Sequence, residues 1–142
     1  MKQRISLGIV VLVCFAGTLW AQNPAPQSPH GYNITQEDRD QKNPVPFTQE
    51  SIDHGKKLFL SQCSMCHGED GTGNGEVAQE LKANPPDFTK AATLANRSDG
   101  ELFTIMSQGS AVMPGQGKRM RDEHKWDLVN YLRFLGGKAP GK

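Results

Sequence analysis

The stretch Cys63-Ser64-Met65-Cys66-His67 decides how the rest of the chain is read. Two thiols separated by two residues, with a histidine directly after them, have few chemical uses. A structural zinc site needs four ligands, usually a second Cys pair or two more His at metal spacing. The one other cysteine, Cys14, sits in an apolar N-terminal run, and His30, His54 and His124 are scattered. A thioredoxin-like redox pair opens a helix after a strand, whereas this motif closes a helical pattern. A disulfide suits an oxidising compartment but gives His67 no reason. Cys-x-x-Cys-His is the attachment signature of c-type haem. On one helical turn the two thiols reach the two vinyl groups along one side of the macrocycle. His67 then falls beneath the iron as the proximal nitrogen ligand.

Working outward, the residues before and after the motif read as helices. Thr48 is a good N-cap for a helix running to about Gln62, with Ile52, Gly55 and Phe59 at helical spacing and Leu58 beside them. A last helix is expected over roughly Asp122 to Leu135. Leu128, Leu132 and Leu135 form its apolar stripe, widened by Trp126, Val129 and Tyr131, and Gly136 and Gly137 stop it. Between them, Ser98 and Glu101 form a capping box that starts a helix ending near Gly109. No segment keeps up a strand alternation, so the expected fold class is all-α: short helices around one covalent haem.

The chain opens with Lys2 and Arg4, followed by an uncharged run from Ile5 to Ala21. Small residues near its end predict a secretory signal peptide over 1–21, cleaved before Gln22. A retained membrane anchor is the alternative, but the run is shorter than the roughly 20 residues a spanning helix prefers. Residues 22–46 hold five prolines in polar surroundings and predict an extended, flexible tether. The folded domain is then placed at 47–137, with a short tail at 138–142. A domain of about 90 residues is marginal on its own core, and a buried cofactor closes that deficit. Without Lys2 and Arg4 the chain carries 14 basic and 15 acidic residues. This balance argues against a nucleic-acid partner, which needs a basic surplus or stripe.

With these features in order, the chain resembles the class I cytochrome c family, in its short bacterial monohaem branch. The resemblance covers Phe47 to Leu135 and implies a cytochrome c-like bundle holding haem c through Cys63, Cys66 and His67. It implies a close crossing of the first and last helices, with Gly55 against Val129, Tyr131 or Leu132. Gly68, Gly71, Gly73 and Gly75 resemble the family's tight loop after the proximal histidine. Asp70, Thr72, Asn74 and Gly75 mimic the start of a calcium loop, but position twelve is Leu81 rather than glutamate. Pro85, Pro86, Asp87 and Phe88 match a recurring family segment that lines the haem.

A six-coordinate iron needs a second axial ligand, and methionine suits electron transfer because it raises the reduction potential. Met65 lies between the haem cysteines on the wrong face, and Met106 falls inside a helix, where core packing is the better reading. Met113, in Gly109-Ser110-Ala111-Val112-Met113-Pro114-Gly115, resembles the family's distal-ligand loop; Met120 is the runner-up. His67 and Met113 together leave no open iron position, so the expectation is periplasmic single-electron transfer rather than catalysis. The expected partners are redox proteins, with no direct small-molecule substrate. One alternative is a cytochrome subunit of a membrane oxidase, quinol-oxidising or dehydrogenase complex, membrane-associated if the N-terminal segment is retained. Another is a haem enzyme or gas sensor with an open axial site. Lys118, Arg119, Arg121 and Lys125 form a candidate docking cluster for an acidic partner. His30, His54 and His124 are expected to be surface residues without a ligand role.

Overall fold

Crossing of the first and last long helices organises the chain, and the crossing is close because one residue has no side chain. The computed structural model describes residues 31–139. Among them are seven helices and no strand: α1 (Gln36–Asp40), α2 (Gln49–Gln62), α3 (Ser64–His67), α4 (Glu76–Glu80), α5 (Ala91–Ala95), α6 (Asp99–Gln108) and α7 (Asp122–Leu135). No helix among these residues is long and apolar enough to cross a membrane. Thr48 caps α2 by accepting from the Ser51 N–H at 3.3 Å. The Ser98–Glu101 capping box opens α6 as expected. The all-α architecture predicted from the sequence is the one observed.

At the α2–α7 crossing, a methyl group on Gly55 would collide with the Asp127 carbonyl oxygen and come within 2.9 Å of Tyr131 Cβ. Helix backbones therefore touch, which explains a glycine in mid-helix despite its cost of about 1 kcal/mol relative to alanine. Ile52 and Phe59 of α2 pack with Trp126, Leu128, Val129, Tyr131 and Leu132 of α7 in one buried cluster, joined by Phe88, Leu94, Leu102 and Met106. Met106 is thus a core residue, as its place inside a helix predicted.

The crossing also has a polar side that periodicity did not reveal. Asp127 is buried, accepting from Ser51 Oγ at 2.6 Å, with His54 Nδ1 2.6 Å from its other oxygen. A buried carboxylate is costly unless partners surround it, and these two supply them. His54 is therefore a structural partner and not a bare surface residue. His124 faces it edge-on with ring centroids 4.8 Å apart, and lies 2.5 Å from an Arg121 guanidinium nitrogen. His30 lies outside the described residues.

Residues 31–46 correct the expected tether. They run antiparallel to α6 and then across α7, fixed at every few residues. Asn33 N–H donates to Gln108 Oε1 at 3.1 Å, and Gln108 Nε2 donates back to the Asn33 carbonyl at 2.8 Å. Ile34 is buried. Thr35 and Asp38 form a capping box on α1; Asp38 also accepts from Thr104 Oγ1 at 2.9 Å, and Arg39 pairs with buried Glu101. Gly100 makes the seat, since any Cβ there would strike the Asp38 carbonyl and Gln41. Farther on, Asn43 Nδ2 donates to Asn130 Oδ1 at 2.9 Å and to the Trp126 carbonyl at 3.2 Å. Proline sets the extended path, but polar side chains of the helices hold it down. The strap ends where Val45 and Phe47 meet the core. Lys138, the first residue after the expected domain, is also tied in: its N–H donates to the Arg133 carbonyl at 3.0 Å, and its ammonium lies 4.4 Å from the centre of the Phe47 ring. Positions 1–30, with the expected signal segment, and 140–142 lie outside the described residues.

Two outcomes follow from this packing. Gly55→Ala is expected to destabilise the protein by about 2–3 kcal/mol in denaturant unfolding, because backbone rather than a flexible side chain must move. The hydrogen bonds from Thr35 hold the Asp38 carboxyl below its usual 3.8. A depressed carboxyl pKa stabilises the fold fully above the unfolded value and loses that contribution as pH falls through the folded one. Amide exchange over residues 33–41 should therefore accelerate in the wild type as pH is lowered from 5 through about 3.8 and below, once the intrinsic pH dependence of exchange is removed. Asp38→Ala should be fast already at pH 5 and show no such transition.

Candidate functional site

Cys63 ends α2 and begins α3, so the motif emerges directly from the helix that crosses α7. Its N–H donates to the Phe59 carbonyl at 2.8 Å, and its own carbonyl accepts from His67 N–H at 2.9 Å and Cys66 N–H at 3.1 Å. Cys63, Cys66 and His67 are thus gathered on a single turn, all three half-buried, with both thiols free. Burial pushes the Cys63 thiol up to about 11, with the nearby Cys66 adding to the rise. Burial also holds the His67 imidazole below its usual range, so the ring is neutral near pH 7.

The segment after the motif returns to brace it. Gly73 N–H donates to the His67 carbonyl at 2.8 Å, Gly75 N–H to the Cys66 carbonyl at 3.1 Å, and Phe88 N–H to the Gly71 carbonyl at 2.8 Å. The first two bonds satisfy carbonyls at the end of α3 that no helix continues. The third holds Phe88, whose ring stacks on His67 with centroids 4.9 Å apart and planes 25° apart. Phe59 stands 6.3 Å away on another side. Of the four glycines expected to serve backbone geometry, Gly68, Gly71 and Gly73 have positive φ, and at Gly75 a Cβ would strike the Met65 carbonyl oxygen.

Met113 sits on the loop that leaves α6 at Gly109. Its N–H donates to Ser110 Oγ at 3.1 Å, its carbonyl accepts from Ser110 N–H at 2.7 Å, and the loop returns with Gln116 N–H donating to the Met106 carbonyl at 2.8 Å. Met113 and Cys63 both pack against the central apolar cluster, as does Met120. Met65 is 67% exposed, pointing away from that core. Sequence reading did not find Tyr32, whose hydroxyl lies 3.9 Å from Met113 Sδ. No local signal marked it, since its partner lies 81 residues farther along the chain.

The expected basic cluster loses a member. Lys125 is buried, donating to Ser107 Oγ at 3.1 Å, pairing with Asp122 at 2.8 Å and lying 4.5 Å from the centre of the Phe103 ring. Lys118 and Arg119 remain exposed, and Arg121 is engaged with His124.

Among the described residues, no three or more His, Cys, Asp or Glu side chains gather as a metal site, so the two thiols have no further ligands for structural zinc. The donor set fits covalent haem instead: two free thiols on one turn, then a half-buried imidazole whose charged form burial disfavours and whose Nδ1 has no protein partner. A helical fold with this site defines a c-type cytochrome domain. The chain belongs to the family described as cytochrome c oxidase, cbb3-type, subunit III, whose model matches residues 50–132. Haem c is accordingly its cofactor, and electron transfer is the family's main activity.

Relatives agree with this placement. The cytochrome c subunit of the quinone alcohol dehydrogenase of Gluconobacter oxydans is 35% identical over 121 residues, covering 82% of this chain and 25% of the relative. The Kuenenia stuttgartiensis reducing HAO-like protein complex Kustc0457/Kustc0458 aligns with a TM-score of 0.56 at 27% identity, over 67% of this chain and 49% of that one. The KustC0563 c-type cytochrome aligns with a TM-score of 0.51 at 28% identity, over 57% of this chain and 95% of that one. The chain spans about a quarter of the length of the curated relatives it matches.

Packing around His67 gives a direct check. Phe88→Ala should cost about 3–5 kcal/mol in denaturant unfolding, since it empties a buried ring site. Met65→Ala, inside the motif but exposed, should change stability by less than about 0.5 kcal/mol.

Proposed function

We propose that this chain is a monohaem electron carrier working outside the cytoplasm, with His67 and Met113 as axial ligands and thioether bonds at Cys63 and Cys66. The observation that carries the reading is the single turn holding both free thiols and a half-buried histidine directly after them. Haem c bound there supplies a one-electron couple at near-constant geometry.

The protein residues do the remaining work. Cys63 and Cys66 fix the group to the end of α2, so its place follows the α2–α7 crossing. His67 is held in its neutral, ligating form by burial, and Phe59 and Phe88 keep water from its ring. Met113 presents a soft thioether from a loop closed at both ends on α6. Ligands already held in place need little rearrangement when the charge changes, which suits fast transfer.

Met65 and Val112 are exposed apolar side chains, one between the two cysteines and the other beside Met113. They mark the surface where a redox partner docks, and exposed Lys118 and Arg119 favour an acidic one. The relatives are named as cytochrome subunits of a quinone alcohol dehydrogenase and of cbb3-type oxidases. A donor or acceptor protein of that kind is the proposed partner class. Export follows from the N-terminal pattern of a charged start and an apolar run.

Absorption spectra of the haem-loaded protein test the ligand set. The unaltered protein should show reduced c-type bands and the weak long-wavelength charge-transfer band of a methionine–iron bond. Met113→Ala should lose only that weak band and gain rapid carbon monoxide binding, while Met120→Ala should keep it. Rapid carbon monoxide binding by the unaltered protein, without the band, would replace the carrier with an open-site enzyme or sensor.

A further inference from the structure

Residues 31–46 lie before the segment matched by the family, yet one of them reaches the proposed distal ligand. We propose that Tyr32 is a positioning residue for Met113. It holds the thioether in place and draws electron density from its sulfur, so that the N-terminal strap sets the redox behaviour of the site. This inference rests on the assignment of Met113 as the axial ligand.

Several contacts hold Tyr32 where it is. Its hydroxyl donates to Met113 Sδ across 3.9 Å, a long bond suited to a weak sulfur acceptor. The next residue, Asn33, is clamped by the reciprocal pair with Gln108, at 3.1 and 2.8 Å. Gln108 is the last residue of α6. Its neighbours Met106 and Ser107 accept the returning end of the Met113 loop, from Gln116 N–H at 2.8 Å and Gly117 N–H at 3.0 Å. Strap and ligand loop are therefore fastened to the same helix end, and their relative position is set there. Farther along, Ile34 burial, the Asp38–Thr104 bond and the Arg39–Glu101 pair keep the strap from sliding along α6.

A thioether sulfur has two lone pairs, so a hydroxyl on one leaves the other for a metal. Donation to the first lowers the electron density offered through the second. Oxidised iron depends on that density more than reduced iron does, so the hydroxyl favours the reduced state. The same bond restrains the methionine against leaving, so its loss should open the position to competing ligands.

The test uses the full-length, haem-loaded protein and the variant Tyr32→Phe, which keeps the ring and removes the donor. Equilibration with a reference redox couple should shift about threefold toward the oxidised form, as expected for one weak hydrogen bond. Binding of imidazole to the oxidised protein should tighten several-fold, with the methionine–iron band still present. Gln108→Ala, which releases the clamp without touching the sulfur, should move both readouts the same way by a smaller amount. A change in unfolding midpoint with potential and imidazole binding unmoved would overturn the proposal, leaving Tyr32 a packing residue and the Met113 assignment intact. Absence of the band from the unaltered protein would overturn this inference together with the ligand assignment beneath it.

Discussion

Contact between the backbones of α2 and α7 at Gly55 is the constraint on which the rest depends. Gly55, Phe59 and Cys63 follow one another at four-residue spacing on one face of α2. The first lets α7 approach; the second enters the core beside Tyr131, with ring centroids 5.3 Å apart; the third starts the attachment turn. The thiols and His67 are therefore placed by helix packing and not by a flexible loop. Side chains on a well-packed helix hold their geometry more closely than those on loops, and an electron-transfer site benefits from that.

The buried polar residues have a different task. Buried Asp127, Glu101, Lys125 and Asn130 are each surrounded by partners from other elements: Ser51 and His54, Arg39 and Arg97, Ser107, and Asn43. Such groups add little net stability once desolvation is counted. Removing one partner leaves the other exposed to that cost, so they select one arrangement of strap and helices. Arg133 does the same at the far end, donating to Asp99 and to the Leu94 and Arg97 carbonyls, and so joins α7 to the turn before α6.

The proposed ligands thus come from unlike settings. His67 is on a turn continuous with a packed helix, whereas Met113 is on a loop whose two ends hydrogen-bond to α6. The histidine side is fixed by the core, and the methionine side is fixed by whatever holds α6 and its loop. The strap lies along α6 and contacts Met113 itself. A segment that lies before the residues matched by the family model is in this way in contact with the loop half of the site.

Local chemistry made much of this legible beforehand. Cys63-Ser64-Met65-Cys66-His67 carries its function in spacing alone, because reach along one helical turn fixes which atoms meet. Thr48, Ser98 and Gly136 mark helix ends through hydrogen bonds to neighbouring residues, and the stripe from Trp126 to Leu135 shows the buried face of α7. Gly55 was readable because a costly glycine in a helix calls for a close neighbour. The strap was not readable: its prolines and polar residues describe a solvated coil until Asn33, Asp38, Arg39 and Asn43 meet partners 62–87 residues away. Lys125 likewise reads as a surface charge until Phe103 and Ser107 cover it. The sequence by itself determined the three long helices, the attachment turn and the cofactor, since those follow from residues close along the chain; the short helices α1, α4 and α5 it did not mark. Only the tertiary structure decided the course of the strap, the burial of the charges and the contact of Tyr32 with Met113, because polar contacts between distant segments leave no period in a sequence.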